Sequence, residues 1–216
     1  MIKKYNIKNR LSSYEVKGLI GIITPPSDKS ISHRALLFSS LAVGKSTIYN
    51  LLHSEDVLNM VKALKTLGVK VINKNNICCV TGVGLNGFNT PNKHIDCGNS
   101  GTIARILLGA IGGSEIFVTL TGDSSLVNRP MDRVIKPLKK MGINFNSINN
   151  KLPLIIKGTS DILPIKYISP ISSAQVKTTI LLAGLNAHGT SEIIEPYSSR
   201  NHSENLLKYF GANIKY

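Results

Sequence analysis

Arginine is scarce in this chain, and it is concentrated where it could act. Of six arginines, five (Arg34, Arg105, Arg129, Arg133 and Arg200) fall in short polar stretches beside apolar runs, whereas the lysines are scattered along the whole length. A planar guanidinium grips carboxylates and phosphates through two parallel hydrogen bonds, so this distribution points to small anionic ligands. The pattern centres on Ser27-Asp28-Lys29-Ser30-Ile31-Ser32-His33-Arg34-Ala35-Leu36-Leu37-Phe38. Pro25 and Pro26 keep the backbone extended ahead of it. Ile31, Ala35, Leu36, Phe38, Leu41 and Ala42 then recur at helical spacing. Lys29, Ser30 and Arg34 therefore crowd the first turns of a mostly buried helix, where free N–H groups and the positive end of the helix dipole favour an anion. The plain alternative is an N-cap Ser followed by two solvated basic residues.

Four further stretches have the same character. In Asp96-Cys97-Gly98-Asn99-Ser100-Gly101-Thr102-Ile103-Ala104-Arg105, two glycines let a ligand approach the backbone, and Asn99-Ser100 offers donors before a helix start. In Gly122-Asp123-Ser124-Ser125-Leu126-Val127-Asn128-Arg129-Pro130-Met131, Arg129 stands in a loop directly before a Pro suited to starting a helix, and Arg133 one turn later reads as structural. Ile171-Ser172-Ser173-Ala174-Gln175-Val176-Lys177 opens another apolar helix that Ser173 can cap, with Gln175 turning an amide outward. The last stretch is Glu195-Pro196-Tyr197-Ser198-Ser199-Arg200-Asn201-His202-Ser203-Glu204. His33 and His202 read as hydrogen-bonded neighbours of these groups rather than as metal ligands, because the histidines are too scattered for a metal site.

The elements that must position these residues repeat with a period of roughly 70 residues. Each unit opens with a small-residue-rich apolar helix and a strand: His33–Val43 with Thr47–Leu52, Thr102–Ile111 with Ile116–Thr121, and Ala174–Leu185 with Ser191–Ile194. An amphipathic, Lys-bearing helix then closes at Gly68, Gly142 or Gly211, the expected left-handed stop, and leads into another strand. The second helices are Asp56–Leu67, Met131–Met141 and Ser203–Phe210, and the strands after them Val69–Ile72, Ile143–Ser147 and Ala212–Tyr216. Two units add a further strand, Ile77–Gly82 and Leu154–Lys157. The fold class is α/β (mixed α+β), built of repeated βαβαββ units whose apolar first helices pack together and present their sheets outward. Residues 1–24 read as a strand pair or extended arm, residues 25–216 as one domain of three units with the third incomplete, and the chain as truncated.

Read together, these stretches resemble the signatures of the 5-enolpyruvylshikimate-3-phosphate synthase family, most specifically through the ten residues Ser27–Leu36. The resemblance covers residues 27–216 and corresponds to the N-terminal half of that family's chain. It implies a two-domain enolpyruvyl transferase fold and transfer of the enolpyruvyl group of phosphoenolpyruvate to the 5-hydroxyl of shikimate 3-phosphate. Lys29, Ser30, Arg34, Ser173, Ala174, Gln175 and Arg200 are thereby expected at shikimate 3-phosphate, and Lys29, Asn99, Gly101, Arg129 and Gln175 at phosphoenolpyruvate. Lys29 and Arg129 are expected to act electrostatically, the general acid and base lying in the family's second domain. Gly rather than Ala at position 101 implies that glyphosate competes there. The family needs no metal or redox cofactor, and the implied partners are the two substrates and the C-terminal half, in an otherwise monomeric protein. Pro26-Ser27-Asp28 in place of Pro-Gly-Asp, and Ile106 in place of Pro, depart from the family pattern without removing a ligand-binding group.

Composition bounds the rival readings. A hydrophobic content of 42%, a mean hydropathy of +0.07 and no apolar run of membrane-spanning length describe a soluble globular chain. Cys78, Cys79 and Cys97 give neither a disulfide framework nor zinc spacing, which fits a reducing cytoplasm. The net charge of +14 leaves a basic nucleic-acid-binding module as an alternative, although the lysines lack the aromatic interleaving of a single-strand binder. Within the fold, a UDP-N-acetylglucosamine enolpyruvyl transferase is disfavoured. Ser30-Ile31-Ser32-His33-Arg34 replaces its Asn-containing motif, and its reactive Cys loop has no counterpart around Asn128–Met131. Gly44-Lys45-Ser46-Thr47 spells the end of a P-loop but lacks the first glycine, where Ser39 stands, and reads as a helix stop followed by a turn.

Overall fold

Caps set where the apolar helices begin. In the computed structural model, which describes residues 12–15, 18 and 20–216, Asp28 ends the extended entry (φ −68°, ψ 133°), and its Oδ1 accepts the Ile31 N–H at 2.7 Å. Ser100 and Ser173 cap two later helices in the same way, through the N–H groups of Ile103 and Val176. The cap of the first helix is thus Asp28 and not a serine, because the carboxylate reaches the orphan N–H at the short distance of a charge-assisted bond.

The first unit comprises α1 (Lys29–Leu41), β1 (Val43–Tyr49), α2 (Glu55–Thr66), β2 (Lys70–Lys74) and β3 (Ile77–Val83). The second comprises β4 (Ile95–Asp96), α3 (Gly101–Gly112), β5 (Phe117–Thr121), α4 (Asp132–Lys140), β6 (Asn144–Ser147) and β7 (Leu154–Lys157). The third comprises β8 (Lys166–Ile168), α5 (Ala174–Gly184), β9 (Glu192–Ile194) and α6 (His202–Tyr209). Strand order is β1-β3-β2 in the first sheet, β4-β5-β7-β6 in the second and β8-β9 in the third. The last strand of each of the first two units lies antiparallel between two others, β3 between β1 and β2 and β7 between β5 and β6, while β4–β5 and β8–β9 are parallel pairs joined across α3 and α5. Gly68, Gly142 and Gly211 follow the second helices with φ of 92°, 93° and 88°, the left-handed stops expected.

α3 is the hub. Every residue in it except Thr102 and Arg105 is buried, and it packs along α5 and against α1 and α4. The core continues through Leu36, Leu37 and Phe38 of α1 and Ile180 of α5, each such side chain contributing roughly 1.5–3 kcal/mol of transfer free energy. The sheets lie outside, with Val71, Cys78, Val80, Val118, Leu154 and Ile156 turned in and alternate residues exposed.

Two expectations differ from the structure, and a third falls partly outside the described residues. Gly44–Thr47 lies within strand β1, paired from Gly44↔Gly82 to Thr47↔Cys79, so a sheet partner distant in sequence overrides the local turn signal. Ala212–Tyr216 forms no strand; Ala212 N–H bonds back to Leu207 and no described strand lies beside the segment to complete a ladder. The arm expected over residues 1–24 falls partly outside the described residues, and its described residues are exposed and form no strand.

Candidate functional site

The first turns of α1, α3 and α5 are stitched side by side through arginine. From α1, Arg34 donates from Nε to Ser203 Oγ (2.7 Å), from Nη1 to the Ser30 carbonyl (3.0 Å), and from Nη2 to the Ala174 carbonyl (3.3 Å) and Thr178 Oγ1 (2.8 Å). Four of the five donors of a guanidinium are thereby engaged. From α3, Arg105 donates to its own helix start at the Gly101 carbonyl (3.2 Å), to Gln175 Oε1 on α5 (3.1 Å) and to the Pro130 carbonyl (3.4 Å). Gln175 answers by donating from Nε2 to Thr102 Oγ1 at 3.0 Å. Three sets of unpaired helix N–H groups, with three dipoles of the same sense, are thus brought together.

Around this seam stand groups that remain open. Lys29 Nζ pairs with Asp56 Oδ2 at 2.8 Å, yet its side chain is 53% exposed. Arg200 is exposed and, among the described residues, reaches only Ser30 Oγ, at 3.5 Å. Arg129 is half-buried; it donates to the carbonyl (3.4 Å) and the side-chain oxygen of Asn99 and to Ser125 Oγ (3.1 Å). Asn99 is oriented in turn by Asp123, whose Oδ2 accepts its amide at 2.6 Å while Oδ1 accepts the N–H groups of Leu126 (2.7 Å) and Ser125 (3.0 Å). The hydrogen bond from Leu126, helped by Asn99, Ser125 and the charge of Arg129, holds the Asp123 carboxyl below its ordinary value. Gly101 lies close beneath two guanidinium groups: a Cβ would stand 2.5 Å from Arg105 Nη1, so Arg105 would have to shift, and 3.5 Å from Arg129 Nη1.

Burial leaves its mark on the covered groups. It lowers the Arg34 guanidinium, with the charge of Arg200 adding to the effect, and lowers Arg105, with Arg129 and Arg133 adding. His33 departs from expectation. It is wholly buried, neither ring nitrogen has a hydrogen-bond partner among the described residues, and burial pulls it down to about 4 despite the attraction of Asp56. Charging it would place an unsolvated cation beside Lys29 and Arg34, so it stays neutral at pH 7.

The structure brings Lys29, Ser30, Asn99, Gly101, Arg129, Ser173, Ala174, Gln175 and Arg200 to one seam, but sorts them differently from the sequence. Arg34 was expected to face a ligand; it lies inside, holding the Ser30 and Ala174 carbonyls, because α5 and α6 close over it. Both ends of the Gln175 amide are engaged by α3. Arg133, expected to be structural, is exposed on α4. Arg105, Asp56 and Asp123 were not singled out for roles. For Asp123 a signal existed, since Asp followed by two serines invites a side-chain-to-backbone turn, whereas nothing local pairs Asp56 with a lysine 27 positions earlier.

Fold and site together define a class: a scaffold of βαβαββ units whose apolar helices bring their N-termini and a set of cations together. The family model described as EPSP synthase (3-phosphoshikimate 1-carboxyvinyltransferase) matches residues 14–216, and the chain belongs to that family. Among curated relatives, the 3-phosphoshikimate 1-carboxyvinyltransferase of Nitrobacter hamburgensis is 46% identical over 211 residues (94% of this chain, 47% of the relative). That of Acidiphilium cryptum is 47% identical over 199 residues (91% and 45%). A solved structure of the EPSP synthase of Acinetobacter baumannii superposes with a TM-score of 0.87 at 38% identity, covering 91% of this chain and 45% of that one. The chain therefore spans about half the length of the relatives it matches.

Proposed function

We propose that this chain forms one wall of a cleft in which the enolpyruvyl group of phosphoenolpyruvate passes to the 5-hydroxyl of shikimate 3-phosphate, with release of phosphate. The observation that carries the reading is the seam of three helix N-termini with Lys29, Arg129 and Arg200 open beside it. Two phosphates and two carboxylates must share one cleft. Like charges about 4 Å apart repel by about 4 kcal/mol each at an effective dielectric of about 20, so closely placed cations are a condition of binding. Shikimate 3-phosphate is assigned to Lys29, Ser30, Ser173, Ala174, Gln175 and Arg200, with Arg34 acting by holding the carbonyls of Ser30 and Ala174. Phosphoenolpyruvate is assigned to Lys29, Asn99, Gly101, Arg129 and Gln175. Lys29, between the two, stabilises charge developing on the transferred group and on the departing phosphate. Glyphosate, an anion of similar size, competes at Gly101, where the missing Cβ leaves room beside the two guanidinium groups.

The groups that move the hydroxyl proton belong, in this reading, to the half of the relatives' length that this chain does not span, and the two halves act as one cleft in a monomeric whole. Free Cys78, Cys79 and Cys97 fit a cytoplasmic setting. The test is calorimetric titration of the 216-residue chain with shikimate 3-phosphate, alongside phosphate release with both substrates. Weak binding that Lys29→Met or Arg200→Gln further weakens, without turnover, is expected. Binding indifferent to both substitutions would overturn the site, and phosphate release by the purified chain would overturn the division of labour.

A further inference from the structure

Lys177 lies one turn beyond the α5 cap, where its sequence position offers it as another anion ligand, but its ammonium is turned away from that role. It sits between Glu195 Oε2 (3.0 Å) and Glu204 Oε1 (2.7 Å), and the three side chains are 11%, 10% and 7% exposed. Glu195 accepts the Ser173 N–H at 2.8 Å on its other oxygen and the Ser199 hydroxyl at 2.7 Å. Glu204 Oε2 is buried with no hydrogen-bond partner among the described residues. We infer that Lys177 is a positioning residue: through Glu195 and Glu204 it sets the first turn of α5 and the Arg200 loop in the arrangement that receives shikimate 3-phosphate. The inference rests on the substrate assignment made above.

Each carboxylate of this triad leads to a group that holds the α1 terminus, Glu195 through the Ser199 hydroxyl and Glu204 through its chain neighbour Ser203. Ser199 precedes Arg200, which reaches Ser30, and Ser203, which receives Arg34 Nε, precedes Glu204. The triad also carries an excess negative charge, one ammonium against two carboxylates. The neighbouring charges are Arg34 from α1 and Arg200 from the loop, with the exposed Lys166–Glu192 pair of β8 and β9 and Lys215 at the rim of the adjoining trough. Burial pulls the Lys177 ammonium down, but the bonds from Glu204 and Glu195 outweigh it and leave the group above its ordinary value. Burial likewise pushes Glu195 up, and the Ser199, Ser173 and Lys177 bonds more than offset it. Removing the ammonium would leave two buried carboxylates facing each other, a state relieved only by taking up a proton or by moving apart.

The experiment compares Lys177→Met, Lys177→Arg, Glu204→Gln and the double variant Lys177→Met/Glu204→Gln. It reads shikimate 3-phosphate affinity by calorimetry from pH 8 to pH 6, and hydrogen exchange at the Ser173 amide in the ligand-free chain. Because the ligand phosphate itself titrates, the quantity read is the ratio of unaltered-chain to variant affinity. For K177M a loss of at least about tenfold is expected at pH 8, shrinking toward pH 6 as one carboxylate is protonated, together with faster Ser173 exchange. K177R and E204Q should bind close to the unaltered chain, and the double variant should lose the pH dependence. A K177M ratio that does not change with pH, or unaltered Ser173 exchange, would overturn the inference. If K177M does not fold, a loss of affinity in both K177R and E204Q would overturn it instead. If the unaltered chain does not bind shikimate 3-phosphate, the substrate assignment falls, and Ser173 exchange still decides the role of Lys177.

Discussion

At the scale of single residues, the sharpest consequence concerns His33. An unfolded chain protonates this histidine near 6.5, whereas the folded one resists down to about 4. Between those values the unfolded state binds the extra proton, so His33 removes stability as pH falls through that window, by roughly 3 kcal/mol in all. Urea midpoints at pH 7.5 and 4.5 should differ more for the native chain than for His33→Asn, and equal slopes would show that the imidazole is not sealed off. Gly101 makes a second case. Alanine there gains up to about 1 kcal/mol of helix propensity but displaces Arg105 from Gln175, a bond to a charged group worth about 1.5–3 kcal/mol. The loss outweighs the gain by about 0.5–2 kcal/mol, so Gly101→Ala should lower the melting midpoint modestly while weakening glyphosate binding at the proposed site. A large loss of stability with intact binding would contradict this.

At the scale of elements, the contact of α3 with α5 is close enough to be fragile. A Cβ on Gly109 would lie 2.1 Å from the Thr179 carbonyl oxygen, which is backbone and cannot turn aside. Gly109→Ala is expected to cost at least about 1–3 kcal/mol, read as a lowered urea midpoint. Gly109→Ala behaving like a surface substitution would mean that the two helices do not meet so closely. The apolar helices were legible in the sequence because each carries a sustained apolar run behind a side-chain cap, and the second helices because each carries a helical period closed by a left-handed glycine. β4 and β8 were not, since two or three residues carry no period and owe their existence to parallel partners in β5 and β9. The same distinction governs the site. Lys29, Gly101 and Arg129 stand in local signatures, while the covering of Arg34 by Thr178 and Ser203 depends on residues more than a hundred positions away.

At the scale of the whole molecule, charge is divided between a surface that salt can reach and an interior that it cannot. Raising the ionic strength from about 0.1 M to 1 M shortens the screening length from about 10 Å to about 3 Å. In the proposed site, exposed Lys29 and Arg200 should therefore hold shikimate 3-phosphate less firmly, while the buried bonds of Arg34, Arg105 and Lys177 persist. Affinity should drop with salt and the unfolding midpoint scarcely change. A steep salt slope with duplex or single-stranded nucleic acid, untouched by shikimate 3-phosphate, would instead favour a nucleic-acid module.

The long reach of Arg34 also bears on vectorial synthesis. Its guanidinium leaves the ribosome early, but Thr178 and Ser203 follow 144 and 169 residues later. Until they emerge, the first unit holds a cation that it cannot cover, and a nascent chain halted before position 203 should keep that unit loose and open to protease. The oldest part of the seam is thus completed by residues made well over a hundred positions later, which ties maturation of the proposed anion site to the arrival of the third unit.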